Sequence, residues 1–276
     1  MKIAIASGKG GTGKTTVAVN MALSLENVQL LDCDVEEPDC QHFLDLNLED
    51  LEEVKSFMPV VDNEKCDSCG ECAELCHFNA IVVTPQETMV FPELCHGCGL
   101  CALACPQDAI HEEGKIVGKI QKGIGEIEFY HGILNTGELL SPLLIRAVKE
   151  KGDENKDVII DAPPGNACPA VSTIDNTDFC VLVTEPTPFG LHDLKYSINM
   201  IRELDIPHAV VINRSGIGDD RVEKYCEEEK IPILMTIPND REIAELYSRG
   251  IPFVKEMPEW KKEFVSLYNK IKEMSS

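Results

Sequence analysis

Two stretches of this chain bring together residue types that do chemistry. The first is "GKGGTGKT", Gly8 to Thr15, which matches G-x-x-x-x-G-K-[ST]. Its glycines, Gly8, Gly10, Gly11 and Gly13, let backbone N–H groups wrap phosphate oxygens, and Lys14 reaches the same oxygens. Thr12 lies inside the loop, and Thr15 and Thr16 open the segment after it. The Thr15 hydroxyl is suited to ligate Mg²⁺ beside a phosphate. The second stretch is a cysteine repeat. Cys66, Cys69, Cys72 and Cys76 are spaced C-x2-C-x2-C-x3-C and recur, shifted by 29, as Cys95, Cys98, Cys101 and Cys105. Ala80-Ile81 recurs as Ala109-Ile110 at the same shift. In such a repeat three close cysteines grip three corners of one cubane, and the fourth ligates the other cluster. The expected cofactors are two [4Fe–4S] clusters. One takes Cys66, Cys69, Cys72 and Cys105, and the other takes Cys95, Cys98, Cys101 and Cys76. Zinc is the competing metal for four thiolates, and the doubled x2-x2-x3 spacing favours the cubanes.

Composition narrows the partners. Among 276 residues, 25 Lys and Arg face 48 Asp and Glu, a net charge of −23. That balance argues against a nucleic-acid backbone, which needs cations to neutralise it, and against attraction to an anionic membrane. The apolar run before the loop covers only residues 3–6, too short for a signal peptide, and no run approaches a membrane span. The expectation is a soluble cytoplasmic protein. Thirteen cysteines in a reducing compartment point to metal rather than to disulfides.

The elements that must position these residues alternate. "KIAIA" (2–6) reads as a strand running into the Gly-rich loop, and "TTVAVNMALSLE" as the helix after it. Further strands are expected at 28–34, 157–163, 178–186, 208–214 and 231–238, with helices at 141–151, 191–204, 219–229 and 240–248. Strands alternating with helices imply a parallel sheet covered on both faces. The rhythm breaks near residue 60, becomes Cys-rich and turn-rich to about 110, and resumes with strands around 114–121 and 125–132. The fold class expected is therefore an α/β parallel-sheet P-loop domain, residues 1–60 and 111–276, with a small α+β di-cluster domain inserted at 61–110.

Lys9 adds a second lysine just inside the loop, and "KGGTGKT" resembles the deviant Walker A motif of the MinD/ParA-like ATPases. That group includes the nitrogenase iron protein and the Mrp-type cluster carriers. The resemblance implies ATP bound between two monomers, with Lys9 reaching the phosphates held by the partner subunit. Asp34 in "LLDCDVEEPD" matches the family's second aspartate of D-x-D, which orients the attacking water, while Asp32 is expected to support the Mg²⁺ shell or the strand end. "IIDAPPG" resembles the Walker B strand and switch II, with Asp161 on Mg²⁺ through water and Gly165 near the γ-phosphate. "VVINR" resembles the base-recognition strand, with Asn213 and Arg214, and "IPND" lines the base pocket with Pro238. The cysteine segment resembles bacterial two-cluster ferredoxins. Pro106 follows its last cysteine as expected, and His77 stands where proline is usual in the first half.

Five cysteines lie outside the repeat. Cys33 and Cys180 read as core residues in strands, Cys226 falls in a helix without a partner motif, Cys40 has no assigned role, and Cys168 adjoins switch II near a helix start. In the C-terminal segment Trp260, Phe264, Leu267, Tyr268 and Ile271 share a helical face, read as docked on the core. The functional expectation is a slow, ATP-dependent dimeric ATPase that gates electron transfer between its clusters and a redox partner. The alternative is a carrier or maturation ATPase that delivers metal or cluster to a client protein. A third reading is a positioning ATPase with structural clusters.

Overall fold

The computed structural model describes residues 1–275. The chain runs β1 (Lys2–Ala6), α1 (Lys14–Ser24), β2 (Val28–Asp32), a 3-10 turn (Cys40–Phe43) and β3 (Leu46–Val61). The cysteine segment follows as α2 (Glu71–Leu75), β4 (Ile81–Val83), β5 (Thr88–Val90) and α3 (Leu100–Ala104). Then come β6 (Ile110–Gly125), β7 (Glu128–Leu134), α4 (Ser141–Lys149), β8 (Asp157–Asp161), α5 (Cys168–Ile174), β9 (Phe179–Thr184) and α6 (Pro188–Glu203). The chain ends with β10 (His208–Ser215), α7 (Arg221–Glu228), β11 (Ile233–Pro238), α8 (Arg241–Ser248), α9 (Phe253–Glu256) and α10 (Pro258–Met274).

Nine strands form one sheet in the order β11-β10-β9-β1-β8-β2-β7-β6-β3. The seven from β11 to β7 are parallel to their neighbours, and β6 and β3 are antiparallel additions at one side. Side chains alternate across the sheet as strand geometry requires. Ile3 and Ile5 enter the core beneath α1, α9 and α10, whereas Ala4 and Ala6 enter the one beneath α6 and α7. α1 is buried nearly all round because it lies between the sheet and α10, whose Phe264, Leu267 and Ile271 are inaccessible. Both faces are therefore covered, which is why the central strands read as continuous apolar runs.

The antiparallel pair carries the main departure from the sequence expectation. The pattern over 46–61 shows no apolar alternation in its first half, where Glu49, Asp50, Glu52 and Glu53 are exposed, yet a sixteen-residue strand forms there. Pairing supplies what the pattern lacks, because β3 runs against the full length of β6 from Leu46–Gly125 to Val61–Ile110. As an edge strand, β3 is guarded by those charges and by register shifts at Asp50/Glu52 and Val54/Lys55. Residues 62–109 hang between the far ends of this ribbon, with β4 and β5 forming their own two-stranded sheet. No helix among the described residues is long and apolar enough to cross a membrane.

Candidate functional site

The Gly-rich loop leaves the C-terminal end of β1, in the middle of the parallel strands, and opens α1. That is where ligands bind in open α/β sheets. Two glycines have specific reasons. Gly13 has φ +93, and a Cβ there would lie 2.2 Å from Asn213 Nδ2. A Cβ on Gly8 would lie 2.6 Å from the Asp193 carbonyl oxygen of α6. The loop is thus clamped between α6 and β10.

Gly10, Gly11, Gly13, Lys14, Thr15 and Thr16 line a cavity of about 310 Å³ together with Asp34, Asn213, Arg214 and Pro238. Gly8, Lys9 and Thr12 lie on the other side of the loop, against β9 and α6. Gly165 is placed by its N–H, which donates to the Ser7 carbonyl at 2.9 Å. Asn213 spends Nδ2 on the Thr12 carbonyl at 2.8 Å and Oδ1 on the Arg214 N–H at 2.9 Å, so its amide keeps one further hydrogen and one further lone pair.

Beneath the loop, three carboxylates from two strand ends surround one lysine. Lys14 Nζ lies 2.9 Å from Asp34 Oδ2 and 3.8 Å from Asp161 Oδ1. Burial opposes the Lys14 charge, but Asp161, Asp34 and Asp32 outweigh it and hold the ammonium above the ordinary lysine range. Burial likewise raises the Asp34 and Asp161 carboxyls, and burial together with the Asp161 charge pushes Asp32 up to about 7. Asp32 accepts N–H bonds from Asp34, Asp39 and Cys40, each at 3.0 Å, and so shapes the strand end. The Thr15 hydroxyl donates to Asp161 Oδ2 at 2.6 Å, whereas Asp161 Oδ1 is buried without a hydrogen-bond partner. An orphaned carboxylate oxygen beside a threonine hydroxyl is a hard-oxygen donor set that fits Mg²⁺.

The cysteines gather across the repeat. Cys66, Cys69, Cys72 and Cys105 line one small cavity, and Cys76, Cys95, Cys98 and Cys101 line another. All thirteen cysteines are free thiols. The two halves share backbone detail at the shift of 29. Asn79 and Asp108 both have positive φ, and the Ala80 and Ala109 N–H groups donate to Cys76 and Cys105 Sγ at 3.3 Å each. The Gly97 N–H donates to Cys95 Sγ at 3.4 Å. Two four-thiol sets, each with N–H···S bonds, fit cubane clusters. His96 stacks on Phe78 with ring centroids 3.7 Å apart beside the second set, and the His77 ring meets Phe78 edge-on at 5.7 Å.

Several functional neighbours escape sequence reading. Cys40 donates to Asp161 Oδ2 at 3.4 Å. Tyr247 lines the nucleotide cavity with its ring 5.1 Å from Phe43. Glu185 pairs with both Lys9 and Arg214. None sits in a motif, and the only local signal is the "VTEP" strand end that carries Glu185. Cys168 is exposed at the first residue of α5, and among the described residues its thiol has no hydrogen-bond partner.

Comparison with known proteins agrees with the loop and the fold. The chain is 32% identical to an uncharacterized protein of Methanocaldococcus jannaschii, over 99% of this chain and 97% of that one. It is 27% identical to an iron-sulfur cluster carrier protein of Pyrococcus abyssi, over 92% of this chain and 79% of that protein. The septum site-determining protein MinD of Pyrococcus horikoshii, solved with Mg-ADP, shares the fold at a TM-score of 0.59 and 22% identity, covering 100% of this chain and 97% of that one. With residues 3–253 matching the CobQ/CobB/MinD/ParA nucleotide binding domain, the chain belongs to that family.

Proposed function

We propose that this protein is an ATP-hydrolysing dimeric switch that holds two [4Fe–4S] clusters and delivers cluster to a client protein under nucleotide control. The observation that carries the reading is the gathering of eight thiols into two sets of four, at the far end of a ribbon that joins the sheet carrying the Gly-rich loop. The name of the Pyrococcus relative supports carriage over electron transfer.

The chemistry follows from the residues in place. Loop N–H groups and Lys14 take the β- and γ-phosphates, with Lys14 exchanging Asp34 for phosphate oxygens. Thr15 and Asp161 would hold Mg²⁺, and the ion would supply charge that offsets the charge developing on the phosphates. Asp34, freed from Lys14, orients the attacking water. Asn213, Arg214 and Pro238 bound the base, and Lys9 reaches the phosphates of the partner subunit. Residues 61–110 act as the cluster-bearing unit of the chain.

A second reading, ATP-gated electron transfer, is favoured by the crossing itself. Each set borrows its fourth thiol from the other repeat, so releasing a cluster unties both halves. Anaerobic reconstitution followed by incubation with an apo-ferredoxin acceptor, with and without MgATP, separates the two. ATP-dependent appearance of holo-acceptor supports carriage. Clusters retained against chelator, with dithionite-reduced, desalted protein passing its electrons to an acceptor only when nucleotide is present, replace it with electron transfer.

A further inference from the structure

We infer that Glu185 is a positioning residue that holds Lys9 back from the inter-subunit phosphate site until a triphosphate draws it across. The inference rests on the ATP-dependent dimer proposed above.

Glu185 follows the last residue of β9 and is only 6% exposed. Its Oε2 lies 3.1 Å from Lys9 Nζ, and its Oε1 accepts from Arg214 Nη1 at 2.6 Å. The backbones on both sides are fixed. The Glu185 carbonyl accepts the Thr187 N–H at 2.8 Å, and a Cβ on Gly190 would lie 2.2 Å from that carbonyl oxygen. The Lys9 carbonyl accepts the Ser7 hydroxyl at 2.8 Å, and Gly8 is pressed against Asp193. What can move is the two cationic side chains, whose exposures are 33% for Lys9 and 50% for Arg214.

A buried carboxylate left without a counter-charge is strongly destabilised. A buried carboxylate with two cations can release one and keep the other. Arg214 is the cation that stays, so Lys9 is the one that leaves. In the dimer Lys9 exchanges Glu185 for the phosphates of the nucleotide in the partner subunit. A triphosphate offers more negative charge there than a diphosphate, so competition from Glu185 sets a threshold that ADP fails to cross. Arg214 also lines the nucleotide cavity of its own subunit, so one carboxylate joins the outward-reaching lysine to the occupied pocket.

The test uses the full chain carrying Glu185→Gln. An amine-selective acylating reagent is applied to nucleotide-free protein and Lys9 modification is read by peptide mass spectrometry. Dimerisation is followed by sedimentation with a slowly hydrolysed ATP analogue and with ADP. Removing one partly exposed ion pair changes an equilibrium by about five-fold, and two such pairs per dimer shift the dimerisation constant roughly 25-fold. The expected result is faster Lys9 acylation, a dimer at lower protomer concentration, and dimerisation that begins with ADP. Glu185→Asp keeps the charge but is too short to span both cations, so it also speeds Lys9 acylation. Unchanged acylation in both variants, or weaker dimerisation, overturns the assignment. If Lys9→Ala dimerises with the analogue as readily as the parent, the dimer reading fails, and the acylation comparison still decides whether Glu185 restrains Lys9.

Discussion

The Cys40 thiol and the Thr15 hydroxyl donate to the same oxygen, Oδ2 of Asp161, at 3.4 and 2.6 Å. Burial, with the charges of Asp32 and Asp161, raises the Cys40 thiol above its ordinary range, so the thiol keeps its proton and donates it to Asp161. Cys40 opens the 3-10 turn, and β3 starts three residues after the turn ends. The far end of the turn places Phe43 against Tyr247 on the cavity wall. One short segment therefore touches both the phosphate end and a flank of the nucleotide cavity before it becomes the ribbon that leads to the thiols.

Cys40→Ala removes that link without touching the loop or the thiol sets. It is expected to cost about 1 kcal/mol of stability for the lost hydrogen bond. Nucleotide affinity should change little, while the ratio of chelator-extractable iron with and without MgATP moves toward one. Titration of nucleotide and timed iron release check this, and a full ATP response in the variant counts against the segment as a relay.

The crossed thiol sets make a prediction opposite to the motif order. Cys105→Ser should damage the cluster held by Cys66, Cys69 and Cys72, and Cys76→Ser the one held by Cys95, Cys98 and Cys101. Each variant should fall from about eight irons per chain to about four after anaerobic reconstitution. EPR of the reduced Cys72→Ser and Cys105→Ser proteins should show the same surviving signal. Matching signals from Cys101→Ser and Cys105→Ser would instead place the fourth ligand within its own repeat.

Lys14 is the only cation within reach of the carboxylates of Asp34 and Asp161 among the described residues. Lys14→Met leaves those buried acids without it and should cost about 3 kcal/mol in thermal unfolding. Nucleotide should no longer raise the midpoint. Asp34→Ala, by contrast, should keep Mg-nucleotide binding while slowing phosphate release roughly 100-fold, as loss of a water-positioning group does. Calorimetry and a phosphate assay on the two variants separate binding from turnover.

His131 gives the fold an acid sensitivity. Burial first, then the charges of Lys119 and His42, push its imidazole down to about 4. The unfolded chain binds a proton near 6.5, so stability is present above that pH and is lost as pH falls toward 4. Between pH 7 and 5 the loss is about 2 kcal/mol. His131→Gln, which can still bond Gln121, should flatten that part of the stability–pH curve measured by urea unfolding. An unchanged slope would assign the acid sensitivity elsewhere.

The local sequence determined much of this protein. Gly-rich loop, flanking strand and helix lie within a dozen residues, and their short-range geometry forces the phosphate cradle. The strands over 2–6, 157–161 and 179–184 are legible because both of their faces are buried and only apolar residues satisfy that. The cysteine spacing likewise encodes its crossed partners, since three close thiols leave the fourth to face the other repeat. What only the tertiary structure decided are contacts between side chains distant in sequence. β3 exists because β6 pairs with it, not because its acidic run favours a strand. Cys40 meets Asp161 across 121 positions because β2 and β8 are adjacent in the sheet. Glu185 meets Lys9 because β9 and β1 are neighbours. A buried charge or thiol declares its partner only when the sheet order is known.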